Sequence, residues 1–96
     1  MIVHEASIAY EIYEIVEESL NEYNLKNVSL ISIKVGSFNG IDEASLRFAF
    51  EVISKGSSCE KAKVIIEEVE GFELLVDRIE GDNNEEYSNT EKDTTI

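Results

Sequence analysis

The spacing of the apolar residues changes period three times along the chain, and this order limits the folds that it can form. Residues 5–23 have apolar side chains at spacings of three and four, which predicts an amphipathic helix. Residues 28–36, VSLISIKVG, alternate with a period of two and predict a strand. A second helical pattern covers about 43–55, and two strand-like runs follow it, KVIIEEV and FELLVDRIE. The predicted order is helix, strand, helix, strand, strand.

This order predicts an α/β (α+β) two-layer sandwich, with two helices packed on a small three-stranded mixed sheet. The first strand, the second helix and the second strand form a right-handed crossover unit, and a mixed sheet results if these two strands pair in parallel. Glu70 and Gly71 separate the last two strand-like runs, and this short spacing predicts a tight hairpin there. The third strand would then complete the sheet, with both helices on one face.

Residues at the ends of the second helical pattern have the chemistry of helix caps. Asp42 can accept hydrogen bonds from the first free N–H groups of a helix that begins near residue 43. Ile41 and Leu46 stand at the two positions of a hydrophobic staple, and Gly56 suits a C-terminal cap. The residues expected on the buried faces are Ile8, Ile12, Ile15, Val16, Leu20 and Tyr23 in the first helix, and Leu46, Phe48, Ala49, Phe50, Val52 and Ile53 in the second.

The composition of the last sixteen residues, GDNNEEYSNTEKDTTI, differs from that of the rest of the chain. This segment holds five acidic residues and one lysine, and its only sizeable apolar groups are Tyr87 and Ile96. Such a segment buries too little apolar surface to offset the entropy of ordering. We therefore expect a folded domain over 1–80 and an acidic disordered tail over 81–96.

The charge and the cysteine content exclude several classes of function. The chain of 96 residues has a formal net charge of −13, and no basic stripe is available for binding nucleic acid or an anionic membrane. No apolar run is long enough to span a membrane, and the amino terminus lacks a signal-peptide pattern. The single cysteine, Cys59, forbids an internal disulfide and favours a reducing compartment, so a cytoplasmic protein is expected.

The sequence has no pattern typical of an enzyme, and its one histidine is the main candidate for a binding role. It contains no Gly-rich phosphate loop, CxxC pair or HExxH, and Cys59 reads as an incidental loop thiol. An imidazole, a terminal amine and backbone amides within a few residues can form the planar nitrogen site that suits Ni(II) or Cu(II). His4 could supply that imidazole, or it could be an ordinary exposed histidine at the start of a helix.

Three segments resemble one known family. HEASIA, IKVGSFNGIDEASLRFAFEV and GFELLVDRIE look like HypA, the nickel-delivery accessory protein of [NiFe]-hydrogenase maturation, over roughly residues 4–80. The resemblance implies a HypA-like nickel-binding domain of two helices on a three-stranded mixed sheet. It also implies that His4 supplies the imidazole ligand to Ni(II), Glu5 a backbone nitrogen, and Asp42 a nearby carboxylate.

The resemblance also implies a function and partners. The chain would be a nickel metallochaperone that passes Ni(II) on with a HypB-like nickel-insertion GTPase to a hydrogenase large subunit. It would be a monomer or a weak dimer, and the acidic face of the first helix, flanked by Tyr10 and Tyr13, is the expected docking surface. The alternative is a metal-free interaction module of the same machinery, which has lost its nickel and zinc sites.

The chain departs from the family pattern in two places. HypA has histidine directly after the first methionine, whereas Ile2 and Val3 precede His4 here. One hypothesis is that translation starts at Val3, which would give Met-His-Glu. HypA also carries a zinc domain, with a pair of CxxC motifs between the last two strands. Here one strand-like run leads directly into the next, and one cysteine and one histidine cannot make a structural zinc site.

Overall fold

The computed structural model describes residues 4–83 and 93–95. The elements, in chain order, are helix α1 (His4–Tyr23), strand β1 (Leu25–Gly36), a single 3-10 turn (Ser37–Asn39), helix α2 (Glu43–Ile53) and strands β2 (Lys63–Val69), β3 (Leu74–Asn83) and β4 (Asp93–Thr95). The order α-β-α-β-β and the fold class are confirmed, and the short β4 is an addition that the sequence did not predict.

β1 is the central strand of the mixed sheet, whose order is β2-β1-β3-β4. It pairs in parallel with β2, with Ile33 opposite Ile66, and antiparallel with β3, with Ile31 opposite Ile79. The prediction of a hairpin between β2 and β3 is wrong, because these strands occupy opposite edges of β1. A short connection between two strand-like runs fits either a hairpin or a crossing over the end of a third strand.

Residues 70–73 cross the end of β1, and this crossing needs a glycine beneath it. The N–H of Gly36 donates to the carbonyl of Glu73 at 2.6 Å, and the N–H of Phe38 donates to the carbonyl of Gly71 at 2.8 Å. A Cβ atom at residue 36 would lie 2.6 Å from the nitrogen of Glu73 and closer still to the oxygen of Gly71. Only glycine lets the two backbones approach this closely.

Both helices pack on the same face of the sheet and share one core. The buried residues are Ala9, Ile12, Val16 and Leu20 from α1, Leu46 and Phe50 from α2, Leu25, Val28, Ile31, Ile33 and Val35 from β1, Ile79 from β3, and Cys59. Four residues predicted on the buried helix faces are exposed instead: Ile15, Tyr23, Phe48 and Val52. Each lies beyond the narrow stripe that two helices side by side can bury against one small sheet.

Two boundaries differ from the prediction. The strand predicted from Val28 begins earlier, because Leu25 to Asn27 already belong to β1, with Leu25 buried and with Asn24 and Asn27 at φ 56° and 52°. Asparagine tolerates this left-handed conformation better than most residues, which makes the sharp entry into the strand possible. α2 ends at Ile53, two residues earlier than predicted, and Gly56 adopts φ 79° in the turn that follows.

The tail predicted over 81–96 falls largely outside the described residues. Residues 81–83 continue β3 beyond the predicted boundary at residue 80, and β4 pairs with them, with Gly81 opposite Thr94. Residues 84–92 and 96 lie outside the described part of the chain. The division into a domain over 1–80 and a disordered tail stays a prediction.

The close approach at Gly36 makes a direct prediction about stability. Gly36→Ala should lower the free energy of unfolding by about 2 kcal/mol or more, because the added methyl group meets backbone that cannot rotate away. Gly40→Ala is the matched control, since Gly40 has φ 64° with nothing within 4 Å of its Cβ position. That change should cost only the left-handed strain of about 1–2 kcal/mol. Urea unfolding of both variants measures the difference, and a smaller loss for Gly36→Ala would contradict this role for Gly36.

Candidate metal site

The amino-terminal ends of the two helices meet at one edge of the molecule. Glu5 lies in the first turn of α1, and Asp42 is the N-cap residue of α2. A carboxylate oxygen of Glu5, Oε2, accepts a hydrogen bond from the backbone N–H of Asp42 at 3.0 Å. Two of the three residues predicted for the metal site, which are 37 positions apart in the sequence, are therefore in direct contact.

Asp42 combines a structural role with an accessible negative charge. Its Oδ2 atom accepts a hydrogen bond from the backbone N–H of Ser45 at 2.9 Å, as predicted for the N-cap of α2. Hydrogen bonds from the side chain and the backbone of Ser45 lower the pKa of Asp42 below its usual 3.8. The carboxylate is exposed and ionised at neutral pH, at the positive end of the α2 dipole.

The segment between β1 and α2 fixes the position of Asp42. After Gly36 the chain makes the 3-10 turn, and Gly40 then takes the left-handed conformation with φ 64°. The side-chain amide of Asn39 donates to the carbonyl of Phe72 at 3.1 Å, which ties this turn to the crossing at residues 70–73. Ile41 packs against the core next to the helix start. The place of Asp42 is thus set by both the sheet and the crossing.

His4 is the first residue of α1, and its side chain lies outside the described part of the structure. Among the described residues, no three histidine, cysteine, aspartate or glutamate side chains are grouped so that they could hold a metal ion. The structure brings Glu5 and Asp42 together. The full ligand set of His4, Glu5 and Asp42 stays a prediction.

A cleft of about 210 Å³ lies beside Asp42, and the sequence did not predict it. Three carboxylate residues line it, Asp42, Glu43 and Glu68. The rest of the lining is apolar and consists of Val35, Ile41, Leu46 and Ile66. Glu68 comes to this place because β2 pairs with β1 so that Glu68 lies opposite Val35. No local pattern in the sequence reveals that register.

Cys59 belongs to the core and not to the candidate site. Its side chain is 1% exposed, in the loop between α2 and β2. Burial, and then the nearby charge of Glu17, raise the pKa of its thiol to about 11. The thiol is protonated at neutral pH, and it packs as a small apolar group.

No helix in the described part of the chain is long and apolar enough to cross a membrane.

Comparison with known proteins places these features in a family. The model of the family described as HypA, hydrogenase/urease nickel incorporation, metallochaperone, matches residues 3–74. Hydrogenase maturation factor HypA of Cereibacter sphaeroides is 35% identical over 75 residues, which are 78% of this chain and 66% of that protein. HypA of Roseiflexus sp. (strain RS-1) is 36% identical over 67 residues, 70% of this chain and 54% of that protein. The matched part of the chain thus spans two thirds or less of the length of these relatives.

A solved structure supports the fold independently. The solution structure of the Ni metallochaperone HypA from Helicobacter pylori superposes with a TM-score of 0.62, over 76% of this chain and 69% of that one. Its sequence is 16% identical, so this likeness bears on the fold alone. The family match covers the helix starts, β1, α2 and the crossing that position Glu5 and Asp42. The chain belongs to the HypA family of hydrogenase and urease nickel-incorporation metallochaperones.

Proposed function

We propose that this protein carries Ni(II) for hydrogenase maturation, and that it binds the ion where α1 and α2 begin. The observation that carries this proposal is the hydrogen bond between the Glu5 carboxylate and the Asp42 backbone. That contact holds the first turn of α1 beside the exposed carboxylate of Asp42. A site built on a chain end and an exposed carboxylate can release its ion to a partner, as a carrier must.

Each predicted residue has a distinct task in this site. His4 would supply the imidazole nitrogen, which is a good ligand for Ni(II). Glu5 would supply a backbone nitrogen, while its carboxylate holds the first turn of α1 against Asp42. Asp42 would offer its carboxylate either to the ion directly or to a ligand of the ion. Nickel is the cargo here, and no zinc is required.

The number of residues before His4 sets the affinity of the proposed site for Ni(II). With Ile2 and Val3 present, the amine and the imidazole are separated by two additional amides, which enlarges the chelate ring. A protein that starts at Val3, translated as methionine, would present Met-His-Glu. We propose that this shorter form is the better nickel binder.

Calorimetric titration with Ni(II) tests the site directly. The forms to compare are the full chain and a chain that starts with methionine in place of Val3, each with a mass-verified amino terminus. Saturable one-to-one binding is expected, tighter for the shorter form and lost in His4→Ala. Asp42→Asn should weaken binding without unfolding α2, because asparagine also caps helices well.

One control variant and two contrary outcomes make that titration decisive. Glu60→Gln removes a carboxylate that accepts a hydrogen bond from the N–H of Gly56, away from both helix starts, and it should leave nickel binding unchanged. Binding that survives His4→Ala in both forms would contradict the proposed site. The absence of any binding in either form would favour the alternative, a metal-free interaction module of the maturation machinery.

We further propose that the protein works with a HypB-like GTPase and a hydrogenase large subunit, in the cytoplasm. The candidate docking surface is the exposed acidic side of α1, which includes Glu11, Glu14, Glu18 and Glu22. Tyr10 beside it is 55% exposed and available to a partner. Tyr13 is not equally available, because its ring packs against Phe50 with centroids 6.3 Å apart.

Charge reversal on this surface should weaken the association with the GTPase. In Glu14→Lys with Glu18→Lys, two exposed carboxylates become ammonium groups, and the binding rate and affinity should both fall. Glu73→Lys with Asp77→Lys makes the same change in net charge on exposed positions at the other end of the chain, and it serves as the control. Surface plasmon resonance with purified GTPase measures the association rate and the affinity of each double variant. Equal affinities for the two would rule out α1 as the docking surface.

A further inference from the structure

β2 is the outer strand of the sheet, and its free edge has a self-complementary sequence. Within residues 4–83 and 93–95, β1 is the only strand that pairs with β2. The run from Lys61 to Glu70, KAKVIIEEVE, begins with lysines and ends with glutamates, around Ile65 and Ile66. An open edge offers backbone hydrogen-bonding groups to another strand. An antiparallel copy of this run would place the basic end of each strand beside the acidic end of the other.

We propose that two copies of this protein pair through their β2 edges, antiparallel, around a two-fold axis at Ile65. The two sheets then form one continuous sheet, and the interface is isologous. Ile65 of each copy faces Ile65 of the other, and Lys63 of each copy faces Glu67 of the other. This pairing does not depend on the proposed nickel site, although Ile66 also lines the cleft beside Asp42.

The faces of β2 select this register. Val64 and Ile66 are half-buried under the helices, while Lys63, Ile65 and Glu67 alternate with them and are exposed on the open face. Residues that lie opposite one another in an antiparallel pair point to the same face of the sheet. A two-fold axis at Ile65 therefore places Val64 opposite Ile66 on the helix side, and Lys63 opposite Glu67 on the open side. Shifting the axis by one residue either way separates Lys63 from Glu67.

The charged side chains of Lys63 and Glu67 are available for ion pairs with a second copy. Neither Lys63 nor Glu67 takes part in a salt bridge within the described part of the chain, where the two ion pairs are Arg47–Glu43 and Arg78–Glu80. Ile65, at the centre, is 39% exposed, so the interface has an apolar middle with an opposite-charge pair on each side. Opposite charges directly across two strands stabilise the pair, and like charges oppose it.

Arg47 of α2 contacts the backbone of β2. Its guanidinium donates to the carbonyl of Val64 and forms an ion pair with Glu43 at 3.0 Å. A carbonyl oxygen has two lone pairs, so the carbonyl of Val64 can still accept from a strand N–H. The contact holds β2 against α2.

Sedimentation equilibrium of the full chain, over a wide range of concentration, tests the proposal. The average mass should rise from the 10.8 kDa of one chain towards twice that value. Lys63→Glu and Glu67→Lys should each stay monomeric, because each places like charges opposite one another twice. An equimolar mixture of the two variants should dimerise again, since both opposed pairs are then attractive. The double variant K63E/E67K should also recover the dimer.

Three further measurements keep the test decisive. Lys55→Glu and Glu51→Lys change charges on exposed positions outside β2, and each should dimerise like the unchanged chain. Because Glu67→Lys also puts a lysine opposite Lys34 of β1, urea unfolding checks that each variant is folded. The neutral pair K63Q/E67Q avoids that repulsion and should weaken the dimer at least several-fold. The proposal is overturned if the unchanged chain stays at 10.8 kDa up to its solubility limit, or if the mixture of variants associates no better than each alone.

Discussion

The contact between Gly36 and the segment that crosses above it organises this molecule. β1 lies at the centre of the sheet, and the chain passes from β2 on one side of it to β3 on the other in only four residues. That path runs over the last residue of β1, where any side chain would collide with the carbonyl of Gly71. The connection between the parallel and antiparallel sides of the sheet therefore passes over a single glycine, and the turn that leads to α2 starts from the same point.

The crossing at residues 70–73 fixes the geometry of the candidate site. The 3-10 turn after Gly36 is held by backbone and side-chain hydrogen bonds to residues 71–73, and it delivers Asp42 to the start of α2. α1 arrives at the same edge, and the Glu5 carboxylate completes the contact. Asp42 lies at the positive end of the α2 dipole, and its hydrogen bonds with Ser45 lower the pKa of its carboxyl group. An exposed anionic site of this kind, next to a chain end, suits transient binding of a cation better than permanent storage.

Local patterns in the sequence predict the helices and strands well. They do not predict the register between distant strands or which apolar helix residues are exposed. The change from period three-and-four to period two locates α1, β1, α2 and β2, and the residue type of Asp42 predicts its cap. The short Glu70-Gly71 spacing fits a hairpin equally well, since nothing local shows that β1 lies between the neighbouring strands. Phe48 and Val52 are apolar and close to the buried stripe, yet the small sheet leaves them exposed. The place of Glu68 beside Asp42 depends on the β1–β2 register and has no local signal.

The central claim is that Ni(II) binds where the two helices begin, and amide-resolved NMR during a Ni(II) titration tests it most directly. The account predicts that the first signals to shift or broaden belong to residues 4–8 and 41–46, two segments that are distant in the sequence and adjacent in the fold. Signals from the middle of α1, around Glu14 and Glu18, should change much later or not at all. First changes on that acidic face, or changes limited to the chain end without residues 41–46, would contradict the account.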